Sequence, residues 1–130
     1  MLVYADTSAL VKLVLEEAET DALANWIDEH QARVLTCDLS STELMRAVRR
    51  SNPDRAPHAR ELLSRCALIR LDPSLYESAG LLDPTELRSL DAIHLTAAMQ
   101  LGDQLDAFLG YDDRLLRAAR RFGLPTASPR

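Results

Sequence analysis

Four short apolar runs, Leu2 to Ala5, Val34 to Cys37, Ala67 to Leu71 and Ala107 to Tyr111, lack the two-residue alternation of a strand with one wet face. They predict strands buried on both sides. Between them the apolar residues recur at helical spacing over Ala9 to Glu16, Thr20 to Glu29, Thr42 to Arg50, Ala59 to Arg65, Leu75 to Leu82, Leu90 to Leu101 and Leu115 to Arg121. Asn52-Pro53 and Asp83-Pro84 break the pattern, and Gly123 to Pro125 closes the last helix before a short final strand at Thr126 to Ser128. Strands alternating with helices predict an α/β fold, a parallel sheet covered by helices on both faces through right-handed crossovers.

At 130 residues and 47% hydrophobic, the chain is long enough for one core and too short for two ordinary domains, so a single domain over residues 1–130 is expected. No run of 18 apolar residues and no secretory layout is present, which predicts a cytoplasmic protein with no membrane segment. Cys37 and Cys66 lack metal-site or disulfide spacing and are read as small core residues. A net charge of -5 argues against nucleic-acid binding through a general positive field. Of the fifteen basic residues all but Lys12 are arginines, suited to phosphate oxygens, although genomic base composition explains such usage equally well.

In open α/β sheets ligands gather beyond the carboxyl ends of the strands, and this rule sorts the acids. Asp6 follows the first strand, Asp38 the second, and Asp112 and Asp113 the fourth, while Glu43 lies in the helix after Asp38 and Asp91 opens the helix near Leu90. Each has a local explanation. Ser40-Ser41-Thr42-Glu43 fits a capping box, Asp91 suits a first helical turn behind a Ser89 cap, Asp112 or Asp113 suits a cap, and Asp38 suits a turn. Asp6 stands between two apolar segments, where an unpaired carboxylate is costly, and a cationic partner is expected. Lys12 is placed to pair with Glu16 instead. Carboxylates gathered without histidine or cysteine partners suit a hard cation such as Mg²⁺ or Mn²⁺. The Thr7 and Ser8 hydroxyls are placed to hold Asp6.

Together, VYADTSALVKLVLEE, SSTELMRAVRR, SLDAIHLTAAMQL and AFLGYDDRLLRAARRFGL resemble the successive motifs of PIN-domain ribonucleases, specifically the toxins of VapBC-type toxin–antitoxin pairs. The resemblance covers essentially the whole chain. It implies a three-layer α/β/α sandwich with a central parallel sheet and a Mg²⁺- or Mn²⁺-dependent endoribonuclease site on Asp6, Glu43, Asp91 and Asp112. It also implies an RNA substrate, a VapB-type antitoxin as partner, a homodimer and a larger assembly with the antitoxin. Arg46, Arg49, Arg50, Arg88, Arg114 and Arg117 are the candidate RNA contacts. Many relatives carry threonine where Gly110 stands, so a hydroxyl that would orient Asp112 is missing and Asp113 is a candidate to share its role. His94, within the third motif, is expected to pack or hydrogen-bond rather than to bind metal.

Two other readings compete. A phosphoryl-transfer enzyme of the haloacid dehalogenase type needs D-x-D-x-T after the first strand, and Ser8 occupies the second acid's place. A PIN-like interaction module that has lost catalysis is the alternative left open by Gly110.

Overall fold

The predicted alternation is realised in a computed structural model that describes residues 1–130. The strands are β1 (Leu2–Ala5), β2 (Arg33–Cys37), β3 (Ala67–Ile69), β4 (Ala107–Leu109) and β5 (Thr126–Ala127). The helices are α1 (Thr7–Val14), α2 (Thr20–Glu29), α3 (Asp38–Ser51), α4 (Ala56–Arg65), α5 (Pro73–Gly80), α6 (Ser89–Met99) and α7 (Asp113–Arg121), with single 3-10 turns at Pro53–Arg55 and Gly102–Gln104. All strands are parallel, in the order β3-β2-β1-β4-β5.

Side-chain alternation along the central strands divides the core into the two halves of an α/β/α sandwich. Val3 and Ala5 of β1 and Ala107 and Leu109 of β4 pack with Leu10, Leu23, Leu44, Val48 and Ala59 of α1 to α4. Tyr4 and Phe108 point the other way, onto Leu75, Leu95, Leu115 and Leu116 of α5 to α7. Both faces are thereby covered, which is why the strands read as continuous apolar runs. No helix is long and apolar enough to cross a membrane.

Several boundaries and local assignments differ from the sequence expectations. Helix α3 begins at Asp38, not Thr42, so Asp38 is a first-turn helical residue and not a turn residue; its carboxylate accepts the Leu71 N–H at 3.2 Å. The capping box does not form. Ser40 lies inside the helix, its hydroxyl 2.6 Å from that of Thr36, which in turn donates to the Ala5 carbonyl at 2.8 Å. Ser89 is the first residue of α6 rather than its cap, a place taken by Arg88 with no side-chain bond. Leu71 and Tyr111 pack against the core beyond the ends of β3 and β4. Lys12 bonds Glu17 and Glu19, each at 2.9 Å, and not Glu16.

Candidate active site

Beyond β1 the chain builds outward through β2 and β3, then crosses to β4 and β5 on the opposite side. The carboxyl ends of β1 and β4 therefore border the crevice where strand order reverses. Asp6 leaves β1 as the N-cap of α1, accepting the Ala9 N–H at 3.0 Å and the Ser8 hydroxyl at 2.6 Å. The Ser8 oxygen is itself aimed by the Tyr111 N–H at 2.9 Å. Asp112, three residues beyond β4, caps α7 by accepting the Leu115 N–H at 3.0 Å. Asp91 lies in the first turn of α6, and Glu43 is supplied by α3. All four acids line a single cavity of about 170 Å³ together with Thr7, Ser8, His94 and Leu115. The capping roles of Asp6 and Asp112 are real, and they coexist with this convergence: helix N-termini bring both carboxylates and positive dipole ends to one place.

The negative charge of the cavity is only partly compensated, by His94. Asp6 is only 3% exposed; burial raises its carboxyl above the usual range, the bonds from Ser8 and Ala9 oppose this, and the charge of Asp112 adds to the rise. Burial also raises Asp91, reinforced by Asp112 and Glu43 and countered by His94 and Arg88. Glu43 differs: burial pushes it upward, but the hydrogen bonds from His94 and Thr7 outweigh that and hold it below its ordinary value. No lysine or arginine lines the cavity. Its one basic side chain is His94, which burial pushes down but its bonds to Cys37 and Glu43 raise to about 10; its charge offsets Asp6 only in part, since that carboxyl still stands above its usual range. An all-oxygen set of carboxylates fits a hard divalent cation. No three of the acids converge closely enough to ligate one ion directly, an arrangement compatible with Mg²⁺, which keeps several of its waters.

The remaining sequence candidates sit elsewhere. Asp113 is exposed and does not line the cavity. Arg46, Arg49 and Arg50 line a separate hollow of about 340 Å³ with Pro53. Arg114 and Arg117, joined by Arg121, line another of about 190 Å³. Arg88 holds the N-cap position of α6. Gly110 also bears on Asp6: a Cβ there would come within 2.8 Å of Asp6 Oδ2, so the bare backbone makes room for that carboxylate. Sequence reasoning also passed over Tyr4, whose hydroxyl meets His94 Nδ1 at 2.7 Å. Its signal was slight: one aromatic in a short apolar strand.

The PIN domain family model matches residues 3–121, spanning every motif that lines the cavity. The chain belongs to the PIN domain family. Its curated PIN relatives include Ribonuclease VapC47 of Mycobacterium tuberculosis (strain CDC 1551 / Oshkosh), 42% identical over 132 residues that cover 98% of this chain and 97% of the relative. Ribonuclease VapC35 of the same organism is 39% identical over 131 residues, with the same coverage. Among solved PIN structures, VapC20 of Mycobacterium tuberculosis, a sarcin-ricin loop cleaving toxin, superposes with a TM-score of 0.73 at 17% identity, over 89% of this chain and 94% of that one. VapBC2 from Rickettsia felis, bound to a promoter DNA fragment, gives 0.75 at 14% identity over the full length of both chains. At those identities the likeness is one of fold.

Proposed function

We propose that this PIN-domain chain, one domain over residues 1–130, is a metal-dependent endoribonuclease and the toxin of a type II toxin–antitoxin pair. The observation that carries the reading is the meeting of Asp6, Glu43, Asp91 and Asp112 around one cavity at the sheet's switch point. The relatives named ribonuclease VapC support the activity, and the VapBC2 complex supports a VapB-type antitoxin as partner. The protein works in the cytoplasm, as a homodimer and in a larger assembly with its antitoxin.

Asp6, Glu43, Asp91 and Asp112 would hold Mg²⁺ or Mn²⁺, which when bound would supply an acidified water and offset charge on phosphodiester oxygens. The chain does the positioning. Ser8 and the Ala9 N–H pin one oxygen of Asp6, Oδ1, leaving Oδ2 beside Gly110. Thr7 and His94 pin Oε1 of Glu43, and Asp113, exposed at the start of α7, adds negative charge outside the cavity. The arginine hollows on α3 and α7 receive flanking phosphates of a single strand, with Arg88 between them in sequence.

The reading of this chain as a PIN-like scaffold without catalysis drew on Gly110, and Gly110 now has a role beside Asp6. Asp6→Asn and Asp91→Asn are expected to abolish cleavage of an RNA panel with far-ultraviolet circular dichroism unchanged. Cleavage by either variant at the parental rate in matched Mg²⁺, or undiminished cleavage by the parent in excess EDTA, would overturn the assignment.

A further inference from the structure

The segments around three of the four acids are tied together by three side-chain hydrogen bonds in series, whose ends the backbone between Tyr4 and Thr7 joins. Tyr4 Oη on β1 meets His94 Nδ1 on α6 at 2.7 Å. His94 Nε2 meets Glu43 Oε1 on α3 at 2.7 Å. The same Oε1 accepts the Thr7 hydroxyl of α1 at 2.7 Å, and Thr7 returns along the backbone to Tyr4 through Asp6. Asp91 lies on α6 one turn before His94. The circuit therefore passes beside Asp6, beside Asp91 and through Glu43.

The chemistry of the atoms assigns the roles. A carboxylate oxygen only accepts, so His94 Nε2 carries a hydrogen and donates it. Nδ1 is occupied by Tyr4, with Cys37 Sγ a further 3.8 Å contact. With both ring nitrogens engaged, His94 has no lone pair left for an ion. Its ring is fixed from behind: Tyr4 is fully buried, His94 is 3% exposed, and Tyr4 stacks on Phe108 at 5.4 Å. Oε1 of Glu43 is used twice, and Oε2 makes no bond within the protein, so the carboxylate presents one defined oxygen to the cavity.

We propose that His94 is a positioning residue: held by Tyr4 and bonded to Glu43, it sets the Glu43 carboxylate and the spacing of the helices that carry Glu43 and Asp91 around the cavity. This rests on the reading of that cavity as a divalent-cation site. A buried histidine serving packing alone would be satisfied by any neighbouring carbonyl, whereas this one bonds only side chains: Tyr4, two residues before Asp6, and Glu43 itself, with Cys37 at longer range.

The test is Mn²⁺ calorimetry on the metal-free full chain, for the parent and for His94→Leu, His94→Gln and Tyr4→Phe, with kcat and KM measured on one RNA. His94→Leu is expected to weaken Mn²⁺ binding by about 10–100-fold, the usual cost of losing such a partner, and to lower kcat while leaving KM for RNA unchanged. His94→Gln, whose amide still donates to Glu43, is expected to restore most of the affinity. A folded His94→Leu protein that binds Mn²⁺ within about twofold of the parent overturns the positioning role alone. If His94→Leu fails to fold, Tyr4→Phe decides, since it keeps the ring against Phe108 and removes only the hydroxyl: several-fold weaker Mn²⁺ binding supports the role, and parental affinity overturns it. A parent that binds no Mn²⁺ overturns the cation-site reading, and this inference falls with it.

Discussion

At the scale of single residues, the determining relation is between Asp6 and Gly110. Asp6 is held at Oδ1 by Ser8 and Ala9, so its carboxylate has little freedom to retreat. A methyl group at position 110 would lie 2.8 Å from Oδ2, closer than Cβ atoms come to their neighbours. Gly110→Ala is therefore expected to cost about 1–3 kcal/mol, as overpacking does, and to weaken Mn²⁺ binding. Denaturant melts and calorimetry check both, and parental values in both would show that Asp6 yields freely.

At the scale of elements, helix starts do double duty. Asp112 caps α7 through the Leu115 N–H and also lines the cavity, and the two roles have different chemical requirements. The cap needs an oxygen acceptor; the cation site needs charge. Asp112→Asn should leave stability within about 0.5 kcal/mol of the parent and still lose most cleavage, whereas Asp112→Ala should lose about 1 kcal/mol as well. Equal melting of the two variants would deny the cap. Helix α3 teaches a related lesson. Its serines look like a cap in sequence, but Thr36 on the preceding strand takes the Ser40 hydroxyl, and the helix extends back to Asp38.

At the scale of the molecule, clustered acids lower the stability of the metal-free fold. The folded-state pKa of Asp6 is raised, so between its unfolded and folded values the native state binds the proton more readily, and stability falls as pH rises through that window. Asp6→Asn removes the charge while keeping the capping oxygen. In EDTA it should melt above the parent near neutral pH, and the difference should shrink as pH falls through the raised pKa. Mn²⁺ reverses the order, because at about 100 times its Kd a ligand stabilises the parent by roughly 2.7 kcal/mol and should not stabilise Asp6→Asn. Thermal melts across pH, with and without Mn²⁺, check the sign; a parent more stable than Asp6→Asn at neutral pH in EDTA would contradict it.

The sequence by itself determined the strand and helix alternation, the burial of both sheet faces, and the placing of acids just past strand ends. These are short-range consequences of apolar periodicity and chain breakers, legible within a dozen residues. Tertiary structure alone decided the strand order, which puts β1 beside β4, and hence which acids meet. It also decided every partner that a local motif had assigned wrongly: Glu43 turned from Ser40 to His94 and Thr7, and Lys12 from Glu16 to Glu17 and Glu19. A polar side chain bonds whichever complementary group the packed core brings nearest, and for Tyr4 that group lies 90 positions along the chain.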